Sequence, residues 1–150
     1  MHSTKLSPDL QSHLAAIATH ISEHAGTVVF RAGEPGRGAF LIRSGKVKMC
    51  LDGSPDLYPA RFLRKGSLIG LPATFSGEPY SLTAEAVQDS DLYFIPRSKL
   101  LNLLQNDPRT GYEIVRILSE EIFLMRKTAY KRQNEKHRRP AAKKNQPLPA

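Results

Sequence analysis

The stretch from Gly66 to Val87, GSLIGLPATFSGEPYSLTAEAV, constrains the fold of this chain more than any other. Three glycines (Gly66, Gly70, Gly77) and two prolines (Pro72, Pro79) rule out a long helix or a continuous strand through it. It follows a short apolar run, Arg61 to Leu63, and ends in the alternating segment Leu82 to Val87. The pattern reads as strand, glycine turn, one short helical turn, loop and strand. A helical turn opening directly after Gly70 leaves backbone N–H groups, those of Leu71 and Ala73, that suit an anion. The competing reading is a loop that only turns a corner.

Ser7 and Pro8 form a helix start, since serine accepts a free amide and proline is tolerated in the first turn. Leu10, Leu14, Ile17 and Ile21 follow at helical spacing, so an amphipathic helix is expected to about Glu23, stopped by Gly26. Strands are expected at Thr27 to Phe30, Ala39 to Ile42, Lys46 to Leu51, Ala60 to Leu63, Leu82 to Val87 and Leu92 to Ile95, with Ser44-Gly45 as a hairpin turn. Short strands at this spacing imply a β-sandwich or jelly roll. Cys50 falls on the strand face opposite Val47, Met49 and Leu51, which reads as a small side chain on a strand. Ser98 to Leu104 is a short helix. Asp107-Pro108 repeats the helix-start signal, and the helix that follows is expected to reach Arg139 before Pro140. Val115, Leu118, Ile122 and Met125 step by three and four along it, a seam suited to a partner helix in a homodimer. Ile114, Ile117 and Leu124 form a second apolar flank for the domain's own sheet, and packing on that sheet alone is the other reading of the helix.

Three segments together, Gly26 to Glu34 (GTVVFRAGE), Gly38 to Met49 (GAFLIRSGKVKM) and Asp91 to Leu100 (DLYFIPRSKL), flank the central loop in an order that resembles the cyclic-nucleotide-binding domain of the Crp/Fnr regulators. The resemblance runs from about Leu10 to Ala129 and rests on the glycine set Gly26, Gly33, Gly45, Gly66 and Gly70. It implies a mainly β fold, a β-roll of the double-stranded β-helix or jelly-roll type, with an N-terminal helix and a long C-terminal helix. The expected divisions are an N-terminal helical segment at 1–25, the roll at 26–107, the long helix at 108–139 and a disordered basic tail at 140–150. It also implies a ligand site at Gly70, Leu71, Pro72, Ala73, Tyr80, Ser81 and Thr83. In that family a glutamate binds the ribose hydroxyl and an arginine neutralises the cyclic phosphate. Here Leu71 stands at the glutamate position and Tyr80 at the arginine position, with Glu78 adding a repulsive charge nearby. Both charged anchors are absent, so weak or lost cyclic AMP binding is expected and no cofactor is assigned. With a single cysteine, an iron–sulfur oxygen sensor is excluded, because such clusters need several thiolates. The Lys/Arg/Pro-rich residues after the long helix are not expected to form a helix-turn-helix domain, so either a stand-alone sensor domain or a truncated relative of a transcription factor is expected.

Composition narrows the remaining classes. One cysteine forbids an intrachain disulfide and fits a reducing compartment. No apolar run reaches a membrane-spanning length and residues 1–25 lack a cleavable leader pattern, so a cytoplasmic protein is expected. The five histidines (His2, His13, His20, His24, His137) all lie outside the strand region, which argues against a metal-binding jelly-roll enzyme; His20 and His24 alone have metal-ligand spacing and also fit solvated side chains. No nucleophile, base or paired-carboxylate pattern points to catalysis. The net charge of +8 resides wholly in residues 126–150, with nine Lys/Arg and one acid, while residues 1–125 are neutral. Arg126, Lys127, Lys131, Arg132, Lys136, Arg138 and Arg139 are therefore candidates for contact with nucleic acid or an acidic protein, the alternative function being an interaction module at 126–144; a solvated tail is the competing reading. The first reading is a non-enzymatic regulatory sensor acting in transcription or signalling. If the tail does contact polyanions, deleting residues 126–150 abolishes a salt-sensitive shift of duplex DNA in a gel, and retention of the shift assigns binding elsewhere.

Overall fold

A computed structural model of the chain describes residues 6–51, 59–120 and 123. Helix α1 (Pro8–Ile17) begins as the sequence predicts, with Leu10 N–H donating to Ser7 Oγ at 3.2 Å and Leu10 and Leu14 buried. It ends six residues earlier than the apolar spacing indicates. Ala18 is extended, and Thr19–Glu23 forms strand β1, paired antiparallel with β8 (Ser90–Pro96). The N-terminal helical segment at 1–25 is thus a helix followed by a strand. Ile17 and Ile21 sit at helical spacing, but the β-branched Thr19 and Ile21 also suit a strand, and pairing with β8 supplies the hydrogen bonds that decide between them.

Strands β2 (Val28–Phe30), β3 (Gly38–Ser44), β4 (Val47–Cys50), β5 (Arg61–Leu63), β6 (Leu68–Ile69) and β7 (Thr83–Ala86) complete two four-stranded antiparallel sheets. One has the order β1-β8-β3-β6 and the other β2-β7-β4-β5. The short helix α2 (Leu71–Ser76) lies between β6 and β7, and α3 (Arg97–Asn106) follows β8. This is the mainly β roll with flanking helices that the sequence implies. Ser44-Gly45 is not a hairpin turn, however. β3 and β4 belong to different sheets, so the turn carries the chain across the roll. β6, only two residues long, lies inside the segment read as a glycine turn.

The Ala39 to Ile42 run is explained by burial on both faces. Phe40 and Ile42 enter the core between the sheets with Phe30, Val47, Met49 and Leu92. Ala39 and Leu41 face the opposite way, into a second core with Leu10, Leu14, Leu100, Ile114 and Ile117. The helix opening at residue 108 is the roof of that second core. Asp107 caps it, accepting from Thr110 N–H at 3.3 Å and from Thr110 Oγ1 at 2.8 Å. Those bonds from Thr110 hold the Asp107 carboxyl below its usual range. Two contacts tie this helix to α1. Ser7 donates through N–H and Oγ to the Glu113 carboxylate at 3.2 and 3.0 Å, and His13 Nδ1 lies 3.3 Å from Thr110 Oγ1. Ile114 and Ile117 are buried on the domain itself, Val115 is 48 % exposed, and Leu118 packs at the margin of the second core. Leu124, Ile122 and Met125 lie outside the described residues, as do Arg126 to Arg139 and the tail.

The crossing at Gly45 is tight. Its φ is +98°, and a Cβ there would overlap the Ser90 side chain and come within 2.6 Å of Ser90 Cα. Gly26 has a similar φ, +92°, but open space around it. Gly45→Ala is expected to lower unfolding free energy by about 2–4 kcal/mol and Gly26→Ala by ~1–2 kcal/mol, the difference being the steric overlap. Urea denaturation of the two variants measures it, and equal losses would refute the packing explanation.

Candidate functional site

The central loop folds over the mouth of the first core. Gly70, in left-handed conformation, opens α2 with Pro72 in its first turn. Thr74 Oγ1 donates back to the Gly70 carbonyl at 2.7 Å and Ser76 Oγ to the Pro72 carbonyl at 3.0 Å, which closes the short helix on itself. From the start of α3, Arg97 Nε donates to the Thr74 carbonyl at 2.9 Å, capping the C-terminal end of α2 with a positive charge.

Between this helix and the sheets lies a cavity of about 50 Å³. Of the residues the sequence assigns to ligand, Gly70, Pro72, Ala73, Tyr80 and Ser81 line it. Leu71 and Thr83 do not. Leu71 is fully buried in the second core, beneath α2 rather than above the cavity. Thr83 is buried on β7, where its Oγ1 accepts from Ala32 N–H at 3.0 Å. The remaining wall comes from residues that motif reasoning missed: Phe30, Met49, Arg61, Leu63, Leu68, Ile69 and Leu82. A signal for Arg61 did exist. It shares a strand face with Leu63 by the two-residue period, and Leu63 is buried.

Tyr80 dominates the site. It is 4 % exposed, and its ring stacks on Phe30 with centroids 3.9 Å apart and planes within 15°. Its hydroxyl donates to the Gly38 carbonyl at 2.5 Å and accepts from Gly38 N–H at 3.3 Å. Burial raises its phenol above the usual tyrosine range, against the opposing effects of the Gly38 bond and the Arg37 charge. Backbone bonds fix the same loop: Tyr80 N–H to the Glu34 carbonyl at 2.9 Å and Gly33 N–H to the Tyr80 carbonyl at 2.8 Å. The side chain at the family's arginine position is therefore a wall component with its hydroxyl already paired.

Residues 21–107 match the sequence profile of the cyclic nucleotide-binding domain. The chain belongs to that family. The chain is 31 % identical over 122 residues to the anaerobic regulatory protein of Bacillus subtilis, covering 78 % of this chain and 50 % of that one. It is 26 % identical over 102 residues to mouse patatin-like phospholipase domain-containing protein 7, covering 66 % of this chain but 7 % of that protein. The chain thus spans half or less of these relatives. Among solved structures, Thermus thermophilus catabolite activator protein superposes with a TM-score of 0.67 at 22 % identity, over 80 % of this chain and 57 % of that one. The sensor domain of the transcriptional regulator DNR from Pseudomonas aeruginosa gives 0.61 at 23 %, over 79 % and 78 %. A protein from a cyclic-GMP-dependent signalling pathway in bacterial phytopathogenesis gives 0.74 at 19 %, over 81 % and 97 %. The cyclic nucleotide-binding domain fold is common to all of them.

Because the Tyr80 pKa is raised in the fold, the domain binds this proton more tightly than the unfolded chain does. The resulting stability is complete below the unfolded tyrosine value of ~10 and is lost as pH rises through the folded value. Tyr80→Phe is expected to cost about 1–2 kcal/mol at neutral pH, because Gly38 loses its partner. It is also expected to flatten the alkaline fall in stability. Melting temperatures of both proteins from pH 7 to 11 test this; parallel curves would show that Tyr80 is not the titrating group.

Proposed function

We propose that this chain is a non-enzymatic, cytoplasmic sensor domain that regulates transcription or signalling through a dimerising C-terminal helix, with cyclic AMP binding weak or lost. The observation that carries the reading is the placement of two neighbouring residues of α2. Ala73 lines the cavity, while Leu71 is buried against the helices. A ligand that moves α2 moves Leu71 within the core that contains Leu100, Ile114 and Ile117. Arg97 adds a polar tether between α2 and α3. The repositioned element is the helix from residue 108, whose Val115 stays half exposed beside Leu118, with Ile122 and Met125 continuing the seam in sequence. The regulatory names of the Bacillus, Thermus and Pseudomonas relatives support a switch of this kind.

Weak cyclic AMP binding is supported by the commitments of Tyr80 and Leu71. Arginine holds a phosphate by two charge-assisted bonds, and neither of these side chains offers one. Losing both anchors weakens binding by roughly two to four orders of magnitude. The basic segment 126–144 supports a second reading, contact with nucleic acid or an acidic protein, through its charge density alone.

Light scattering of the eluting full chain is expected to give twice the chain mass. Val115→Asp is expected to give a monomer with unchanged helix content, and calorimetric titration with cyclic AMP or cyclic GMP to give no micromolar binding. A monomeric wild type would overturn the dimer, and micromolar binding would overturn the lost site.

A further inference from the structure

The cavity under α2 is walled mostly by carbon. Phe30, Met49, Leu63, Ile69 and Leu82 all border it. Among the described lining residues, one carries a formal charge: Arg61, on β5. Tyr80 Oη is engaged by Gly38, which leaves the Ser81 hydroxyl as the other polar side-chain group at the wall. Such a wall has no set of partners for ribose hydroxyls and a purine edge. Its volume of about 50 Å³ is also far below the ~300–1,000 Å³ of pockets that enclose larger ligands. It would hold about three to five water-sized groups.

The combination of one arginine with hydrocarbon over most of the described wall favours one chemistry. An anion of planar, two-oxygen geometry matches the guanidinium fork, and a short apolar body gains by leaving water for the Met49, Leu63 and Leu82 side chains. Resting on the sensor reading above, we infer that this cavity is a receptor site for a small monocarboxylate with an apolar body, Arg61 holding the carboxylate. Arg61 and Tyr80 then stand on different elements, β5 and the loop before β7, so the charge contacting ligand enters from another wall than the one the family resemblance implies.

The test is methyl NMR of the full chain, titrated with formate, acetate and propanoate, which match the size of the cavity, and separately with their uncharged amides. The expected result is a saturable shift of the Met49, Leu63 and Leu82 methyl signals by at least one carboxylate at millimolar concentration, with its amide at least tenfold weaker. Arg61→Gln is expected to remove that difference, and Arg61→Lys to restore part of it. The wild-type carboxylate and amide pairs decide the matter even where a variant fails to fold. Equal affinity for acid and amide, or no saturable shift by any of the three acids, overturns the inference. Shifts of the same methyls by micromolar cyclic AMP overturn it, and the lost cyclic AMP site with it, while leaving the regulatory role standing. A monomeric chain that still binds the carboxylate sinks the dimeric switch and leaves the site standing.

Discussion

The contact between Tyr80 and Gly38 is the constraint on which the site depends. A phenol buried against Phe30 is stable only if its hydroxyl is paired, and the backbone at the start of β3 pairs it as both donor and acceptor. The bond therefore pins the loop after α2 to the strand that runs through the centre of the first sheet. Gly38 also pairs with Pro96, immediately before α3. One side chain thus fixes the relative positions of the loop, the central strand and the start of α3. An arginine at the same position would need an anion to pay for its burial; the tyrosine needs none, and the wall is complete without ligand.

The second organising feature is that one sheet is buried on both faces. β3 and β8 send Ile42 and Leu92 to one core and Leu41 and Ile95 to the other. The two cores therefore share a backbone, and packing at density leaves little room for one to move alone. The helical layer is secured at its polar margin by the Ser7–Glu113 and His13–Thr110 contacts. These are part-buried bonds between helices distant in sequence. They hold the first turns of the helix from residue 108 on α1, while Val115, on the same helix, faces outward.

Much of this was legible in the chain because local rules agreed with one another. Ser7-Pro8 and Asp107-Pro108 are helix starts in sequence and in structure, and the glycines at 66, 70 and 77 all take positive φ, as a turn-helix-turn stretch requires. The errors arose where a tertiary partner broke a local tie. Thr19 to Glu23 carries β-branched residues within a helical apolar spacing, and pairing with β8 makes it a strand. Ser44-Gly45 has hairpin chemistry, but the twist and closure of the roll send the next strand to the other sheet. Motif order puts Leu71 at a ligand position. Its side chain follows the hydrophobic gradient instead, and an apolar residue at the first position of α2 turns inward to Leu100 and Ile114. Arg61 was invisible to motif reasoning because a single charge on a three-residue strand carries no pattern of its own.

The same placement of Leu71 limits what any ligand could achieve. A bound molecule shifts a conformational equilibrium only by its difference in affinity for the two states. A site with room for three to five water-sized groups takes a ligand of few atoms, and the best small ligands gain at most ~1.5 kcal/mol per atom. Coupling energies of 1–3 kcal/mol, which change populations by about 5- to 150-fold, lie within that limit. A complete inversion from one state to the other needs ~5.5 kcal/mol, which would consume most of what such a ligand can supply. On the proposed sensor reading, the helical layer would have to be near balance before ligand arrives. The polar contacts at its margin, worth about 1 kcal/mol each, are of the size that sets such a balance. In the switch proposed above, Ser7, Glu113 and His13 would accordingly count as much as the cavity, although none of them borders it.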